Sequence, residues 1–114
     1  MQRHHRLTGN ARIKDIHREG RSMANGLLVL RLASNDLDHS RFCFVAGKRV
    51  GNAVIRNRVK RRLREVVRKT DFQPGWDAII MARMGAGEAN YAQLERATHN
   101  LMRRSGLTAS ESRE

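Results

Sequence analysis

The stretch from Lys48 to Lys69 constrains this chain most. It reads Lys-Arg-Val-Gly-Asn-Ala-Val-Ile-Arg-Asn-Arg-Val-Lys-Arg-Arg-Leu-Arg-Glu-Val-Val-Arg-Lys and holds ten of the chain's 23 Lys and Arg residues beside a single acid, Glu65. At the helical period it separates into two faces. Ile55, Val59, Leu63 and Val66 fall on one stripe. Arg56, Asn57, Lys60, Arg61, Arg64 and Arg68 fall on the other. Such a helix packs its stripe on a core and turns a row of cations toward something large and negative. Arginine dominates the row, which suits bidentate contact with phosphate.

The rest of the composition narrows the partner. The 114 residues suggest one domain, with 1–9 and 107–114 expected to be loose, and the formal charge is +12. A solvated helix face normally mixes signs, so a polyanion is the better reading, nucleic acid ahead of an anionic membrane. No apolar run reaches the ~20 residues of a spanning helix. The first residues, Met1-Gln-Arg-His-His-Arg, lack the apolar segment of a signal peptide. Cys43 is the only cysteine. Flanked by Phe42 and Phe44, it reads as a small apolar strand residue in a reducing, cytoplasmic setting.

In chain order, Asn10 is a candidate cap for a short helix ending near Glu19 and Gly20. Its apolar positions, Ala11, Ile13 and Ile16, are too sparse for stability without a sheet beneath it. Ser22–Ala24, Gly26–Ala33 and Arg41–Gly47 read as extended, the last two as an antiparallel hairpin across the loop from Ser34. Asn52 is placed to cap the basic helix, and Gln73-Pro74-Gly75 prevents its continuation. Trp76–Arg83 reads as a buried strand, and Tyr91–Arg104 as a second amphipathic helix with Tyr91, Leu94, Ala97, Leu101 and Met102 inward. The result is an α+β domain with helices against a mixed sheet of about four strands. The strand from Arg41, the basic helix and the strand from Trp76 make a β-α-β unit, for which right-handed crossing is the general rule.

No side-chain constellation for catalysis emerges. The carboxylates are scattered, without the clustering of a two-metal centre. Asp36 and Asp38 read as turn residues. The His4-His5 pair reads as solvated rather than metal-binding, and His17 stays open between a ligand contact and a core-edge position. Cys43 has no paired base nearby in sequence. Phe42 and Phe44 share one strand face with Cys43 on the other; they serve core packing or, alternatively, stacking on unpaired bases.

The run from Lys48 to Arg61, with Arg56-Asn57-Arg58 at its heart and Arg64 following, resembles the signature of the bacterial ribonuclease P protein subunit. The likeness extends to Arg6-Leu7, Gly20, Ser22, Ala24-Asn25, Arg41, Ile79-Ile80-Met81-Ala82-Arg83 and Tyr91, in order and over nearly the whole chain. It implies the fold order α-β-β-β-α-β-α, similar to the second domain of ribosomal protein S5, with a left-handed β-α-β crossover. It also implies a small subunit that assists removal of the 5′ leader from precursor transfer RNA. Catalysis would belong to the RNA subunit, with Mg²⁺ held mainly there and no metal or catalytic residue on the protein.

By the same resemblance, Asn52, Arg56, Asn57, Arg58, Lys60, Arg61, Arg64 and Arg68 would face the catalytic RNA. Ile13, His17, Arg31, Phe44, Lys48 and Arg49 would serve the leader cleft, between the first helix and the sheet. The implied partners are the catalytic RNA and precursor transfer RNA, with neither a membrane nor an obligate protein partner. The sequence departs from the family pattern where aromatics are usual, at Ile13, His17 and Arg31. It departs again at Met84, where Lys is usual, and at Arg62, where an aliphatic residue is usual. The alternative is a structural RNA-binding protein of ribosomal type; a self-sufficient nuclease is disfavoured by the scattered carboxylates.

Overall fold

The computed structural model describes residues 5 to 108. Four strands form one mixed sheet: β1 (Arg21–Ala24), β2 (Leu28–Ser34), β3 (Arg41–Ala46) and β4 (Trp76–Ala82). Three helices join them: α1 (Asn10–Glu19), α2 (Ala53–Arg68) and α3 (Tyr91–Ser105). The element order and the mixed α+β architecture are those expected from the sequence.

The strand order is β1-β2-β4-β3. β2 runs antiparallel to β1 and β4, while β3 runs parallel to β4. The hairpin expected between β2 and β3 does not form, because β4 lies between them. The reason is burial. Asp77 through Ile80 are buried on both faces, and only a central strand can cover both. The loop after β2 turns instead around Asn35, whose side-chain oxygen accepts from Leu37 N–H at 2.8 Å, while its own N–H donates to the Gly75 carbonyl at 3.0 Å.

Alternation along the strands sorts the core into two layers. Leu28, Leu30, Leu32, Phe42, Ala78 and Ile80 face α2 and α3 and build the main core with Val59, Leu63, Val67, Leu94, Leu101 and Met102. On the opposite face, Ile79 meets Ile16 of α1 and Leu7 in a smaller cluster. The ends corrected the expectation of loose termini: Leu7 and Leu107 are buried, Leu7 N–H donates to the Phe42 carbonyl, and Gln73 N–H donates to the Leu107 carbonyl at 2.7 Å. Residues 1–4 and 109–114, including the His4 half of the histidine pair, lie outside the described residues.

The caps explain the helix limits. α3 starts with a capping box, in which Asn90 accepts from Gln93 N–H and Gln93 accepts from Asn90 N–H, and it ends at left-handed Gly106. At α1 the expected cap is displaced: Gly9 occupies the N-cap with φ 101°, and Asn10 is the first helical residue. Ile16 is the only fully buried residue of α1, so apolar burial alone holds this helix weakly.

A buried carboxylate supplies the missing attachment. Asp77 has no solvent exposure, yet it is the second residue of the largely apolar strand β4. It accepts from Arg41 Nε and Nη2 at 2.8 and 2.6 Å, from Arg12 Nε at 2.8 Å and from Asn35 Nδ2 at 2.9 Å. Arg12 also donates to the Ser34 carbonyl at 2.8 Å. Burial alone would push the Asp77 carboxyl up; the donors from Arg41, Asn35 and Arg12 outweigh it and hold the group below its usual range. A carboxylate depressed in the native state stabilises the fold above its unfolded value, near pH 4, and that stability fades as pH falls through the lower native value. Replacing Asp77 with Asn is therefore expected to lower unfolding free energy at pH 7 by about 3 kcal/mol. Urea titrations from pH 7 to pH 3 should show a shallower acid dependence in the variant than in the parent.

Candidate nucleic-acid interface

α2 begins where the sequence placed its cap. Asn52 accepts from Ile55 N–H at 3.0 Å. The helix follows a short 3-10 turn at Lys48–Val50, which nests against a second one at Met84–Glu88. Two glycines allow that contact. Gly51 adopts φ 153°, and a Cβ on Gly87 would lie 2.1 Å from the Val50 carbonyl oxygen. Val59, Leu63, Val66 and Val67 are buried beneath the helix, with Ile55 half-buried at its start.

The outer face divides into unequal parts. Asn57 and Arg61 are exposed; Arg56, Lys60 and Arg64, four residues apart, are half-buried. Arg56, Lys60, Arg61 and Arg64 have no acidic ion-pair partner among the described residues. The Arg64 guanidinium lies 5.7 Å from the centre of the Phe44 ring. Three predicted RNA contacts have other commitments. The Asn52 side-chain oxygen is used by the cap. Arg58 leans from the helix toward the Gly87 carbonyl at 3.4 Å, and its Nε is buried without a hydrogen-bond partner. Arg68 forms a two-point pair with Glu65, which holds that carboxyl below its ordinary range. Arg62 likewise reaches the Ala89 carbonyl at 3.3 Å, so its stem lies along the protein rather than adding to the exposed row.

Of the residues assigned to a leader, Ile13, His17 and Arg31 lie on the other side of the sheet, Lys48 and Arg49 lie in the turn beyond β3, and one residue is an exception. Ile13 packs beside the small cluster with Cys43 and Met81. Arg31 donates to the His17 carbonyl at 2.9 Å, which fixes its guanidinium at the last turn of α1. Lys48 and Arg49 are exposed just past the end of β3. Phe44 is the exception. It shares a sheet face with Phe42, whose ring lies 6.4 Å away and nearly parallel, and that face meets α2. The leader assignment for Phe44 is corrected by strand alternation: Cys43, not Phe44, faces α1. Cys43 is half-buried, and burial pushes its thiol up, so it packs as a small apolar group.

Past the end of α1, the floor on this side consists of two rows that cross all four strands. The inner row is Ser22, Arg31, Ile79 and Cys43; the outer is Ala24, Val29, Met81 and Val45. α1 covers Ile79 and leaves Val45 39% exposed. The binding of Arg12 and Arg41 by Asp77 was not foreseen; the only signal was an acid inside the apolar run Trp76–Ala82. Among the described residues no three His, Cys, Asp or Glu side chains gather as a metal ligand set, and no helix is long and apolar enough to cross a membrane.

A cation row on a packed helix, beside a mixed sheet whose second face is partly open, is the arrangement expected of an α+β nucleic-acid-binding protein. Comparison with known proteins makes the class particular. The ribonuclease P family model matches residues 1–106. The ribonuclease P protein component of Alkaliphilus metalliredigens is 35% identical over 109 residues, covering 94% of this chain and 98% of that protein. Its counterpart from Roseiflexus castenholzii is 38% identical, covering 94% and 90%. The Staphylococcus aureus RNase P protein superposes with a TM-score of 0.84 at 30% identity, over 92% of this chain and 98% of that one. The Thermotoga maritima RNase P protein gives 0.80 at 28%, over 87% and 96%. The chain belongs to the ribonuclease P protein component family.

The differing roles along α2 separate in stability measurements. Asn52→Ala should lower unfolding free energy by about 1 kcal/mol through the lost cap. Arg61→Ala, at an exposed position without an acidic partner among the described residues, should change it by less than about 0.5 kcal/mol. Chemical denaturation of the two variants distinguishes them.

Proposed function

We propose that this protein serves ribonuclease P by laying the outer face of α2 on the catalytic RNA and by holding the 5′ leader of precursor transfer RNA against the α1 side of the sheet. The observation that carries the reading is the row Arg56, Lys60, Arg61 and Arg64, which has no acidic partner among the described residues beside a chain of net charge +12. Within the protein the row has no opposite charge to meet, and only Arg64 has a ring beneath it, Phe44. Against a phosphate backbone the row neutralises charge and releases counterions. Asn57, on the same face, supplies an amide that can donate to a phosphate or accept from a 2′-hydroxyl.

The protein's part is binding and orientation; the RNA subunit performs the cleavage. Mg²⁺ held mainly by the RNA would supply the activation of water for that hydrolysis. Asp77, the protein's buried carboxylate, is already occupied by Arg12, Arg41 and Asn35 and offers no free oxygen to an ion. By setting the leader on one face of the sheet and the catalytic RNA on the other, the protein would add affinity for precursor over mature transfer RNA without touching the reacting atoms.

Two measurements test this. Incubating precursor transfer RNA and Mg²⁺ with the protein, with a bacterial ribonuclease P RNA and with both should give cleavage that depends on the RNA and is enhanced by the protein at physiological ionic strength. Cleavage by protein alone would point to a nuclease, and no enhancement would point to a structural RNA-binding protein. In the second, Arg56→Ala combined with Arg61→Ala should weaken binding to the RNA subunit and reduce the log–log salt slope by about 1.4–1.8. An unchanged slope in a folded variant would remove α2 from the interface.

A further inference from the structure

Gly87 is buried, and a Cβ in its place would lie 2.1 Å from the Val50 carbonyl oxygen. Backbone conformation does not explain this glycine. Neither Gly85 nor Gly87 has a positive φ, so alanine could adopt the backbone at both. At Gly85 the added Cβ would meet only the Leu27 side chain, at an ordinary 3.5 Å. At Gly87 it would displace a carbonyl group. Gly87 therefore serves close approach: the hydrogen standing where a Cβ would be points at the Val50 oxygen, a Cα–H···O contact.

The two sides of that contact are held unequally. The 84–88 turn is fixed from several directions. Arg83 N–H donates to the Leu27 carbonyl at 2.8 Å, and the Arg83 guanidinium donates to the Asn25 carbonyl at 2.9 Å. Ala86 is fully buried, and Arg58 and Arg62 reach the Gly87 and Ala89 carbonyls from α2. The 48–50 turn has less to hold it. Val50 is buried, and its N–H donates to the Gly47 carbonyl at 3.1 Å. The chain leaves through Gly51 at φ 153°, where a Cβ would lie 2.8 Å from the Ile55 side chain. Lys48 and Arg49 are exposed, and their side chains make no hydrogen bond or ion pair with the described residues. Where these two charges stand depends on how Val50 is seated against Gly87.

We propose that Gly87 is a positioning residue for RNA binding. By admitting the Val50 carbonyl it holds the 48–50 turn at a fixed place ahead of α2, so that Lys48 and Arg49 extend the row Arg56, Lys60, Arg61 and Arg64 as one preset phosphate-binding surface. Charges fixed before binding lose less freedom when phosphates arrive. The inference rests on the reading that the α2 row meets RNA.

In the test, the full chain is titrated onto a ribonuclease P RNA already saturated with precursor transfer RNA, so that phosphates of both RNAs count. Lys48→Ala with Arg49→Ala should reduce the log–log salt slope by about 1.4–1.8. Gly87→Ala should weaken binding about tenfold and reduce the slope by at least about 0.7, the share of one phosphate. Gly85→Ala should stay within about twofold of the parent. A double-mutant cycle locates the loss. Added to Lys48→Ala and Arg49→Ala, Gly87→Ala should cost less than about twofold more. Added to Arg56→Ala and Arg61→Ala, it should still cost about tenfold. In the unaltered protein, NMR order parameters of the Arg49 and Val50 amides should match the rigid-backbone value of about 0.85. Three results would each overturn the inference: an equal loss from Gly87→Ala with and without Lys48 and Arg49, parent-like binding by the folded Gly87→Ala variant, or order parameters below about 0.6 in that turn. Parent-like binding by the Arg56→Ala, Arg61→Ala variant would instead overturn the assignment of α2 to RNA, and this inference with it.

Discussion

A single carboxylate sets the architecture on which both the α2 cation row and the open sheet face depend. Asp77 sits at the start of the central strand and draws together Arg41 from the neighbouring edge strand, Arg12 from α1 and Asn35 from the loop after β2. Two guanidinium groups and an amide converge on one buried anion, so the group is compensated rather than stranded. Without it, α1 would rest on Ile16 and partial contacts from Ile13, too little to order an isolated ten-residue helix. The position of α1 in turn decides how much of the sheet face stays open.

The sheet then separates two kinds of work. One face is filled by α2 and α3 and is rigid, with its large side chains packed to near-zero exposure. That rigidity holds the α2 cations in a fixed row. The opposite face is covered only over its first rows, and what remains is a shallow aliphatic strip ringed by positive charge. The two surfaces share strands, so residues next to each other in sequence serve opposite sides: Cys43 turns toward α1, Phe44 toward α2.

Much of this was legible from the residues. The 3.6-residue spacing of Val59, Leu63 and Val66, the Asn52 cap, and the apolar runs of β2 and β4 are local signals, and local signals survive folding. What escaped depends on contacts between distant parts of the chain. The position of β4 between β2 and β3 follows from burial on both of its faces, which adjacency in sequence disguises. Leu7 and Leu107 are isolated apolar residues in polar segments, and nothing nearby announces that one joins the small cluster under α1 and the other the main core. For the site, periodicity separated the stripe of α2 from its cations but could not show that Arg58 and Arg62 lean toward the 84–89 segment or that Arg68 is neutralised by Glu65. Alternation put Phe44 beside Phe42 correctly; only the fold tells which helix that face meets.

The short pairing of Arg6 and Leu7 with β3 has a consequence for how the molecule behaves in company. At one border of the sheet, β1 is only four residues long and begins with Arg21. At the other, the incoming chain lies along β3 at Phe42 and occupies backbone groups that would otherwise recruit a strand from another molecule. A few residues ahead of the first helix thus act as a selvedge, leaving less of the β3 border open to a strand from another molecule.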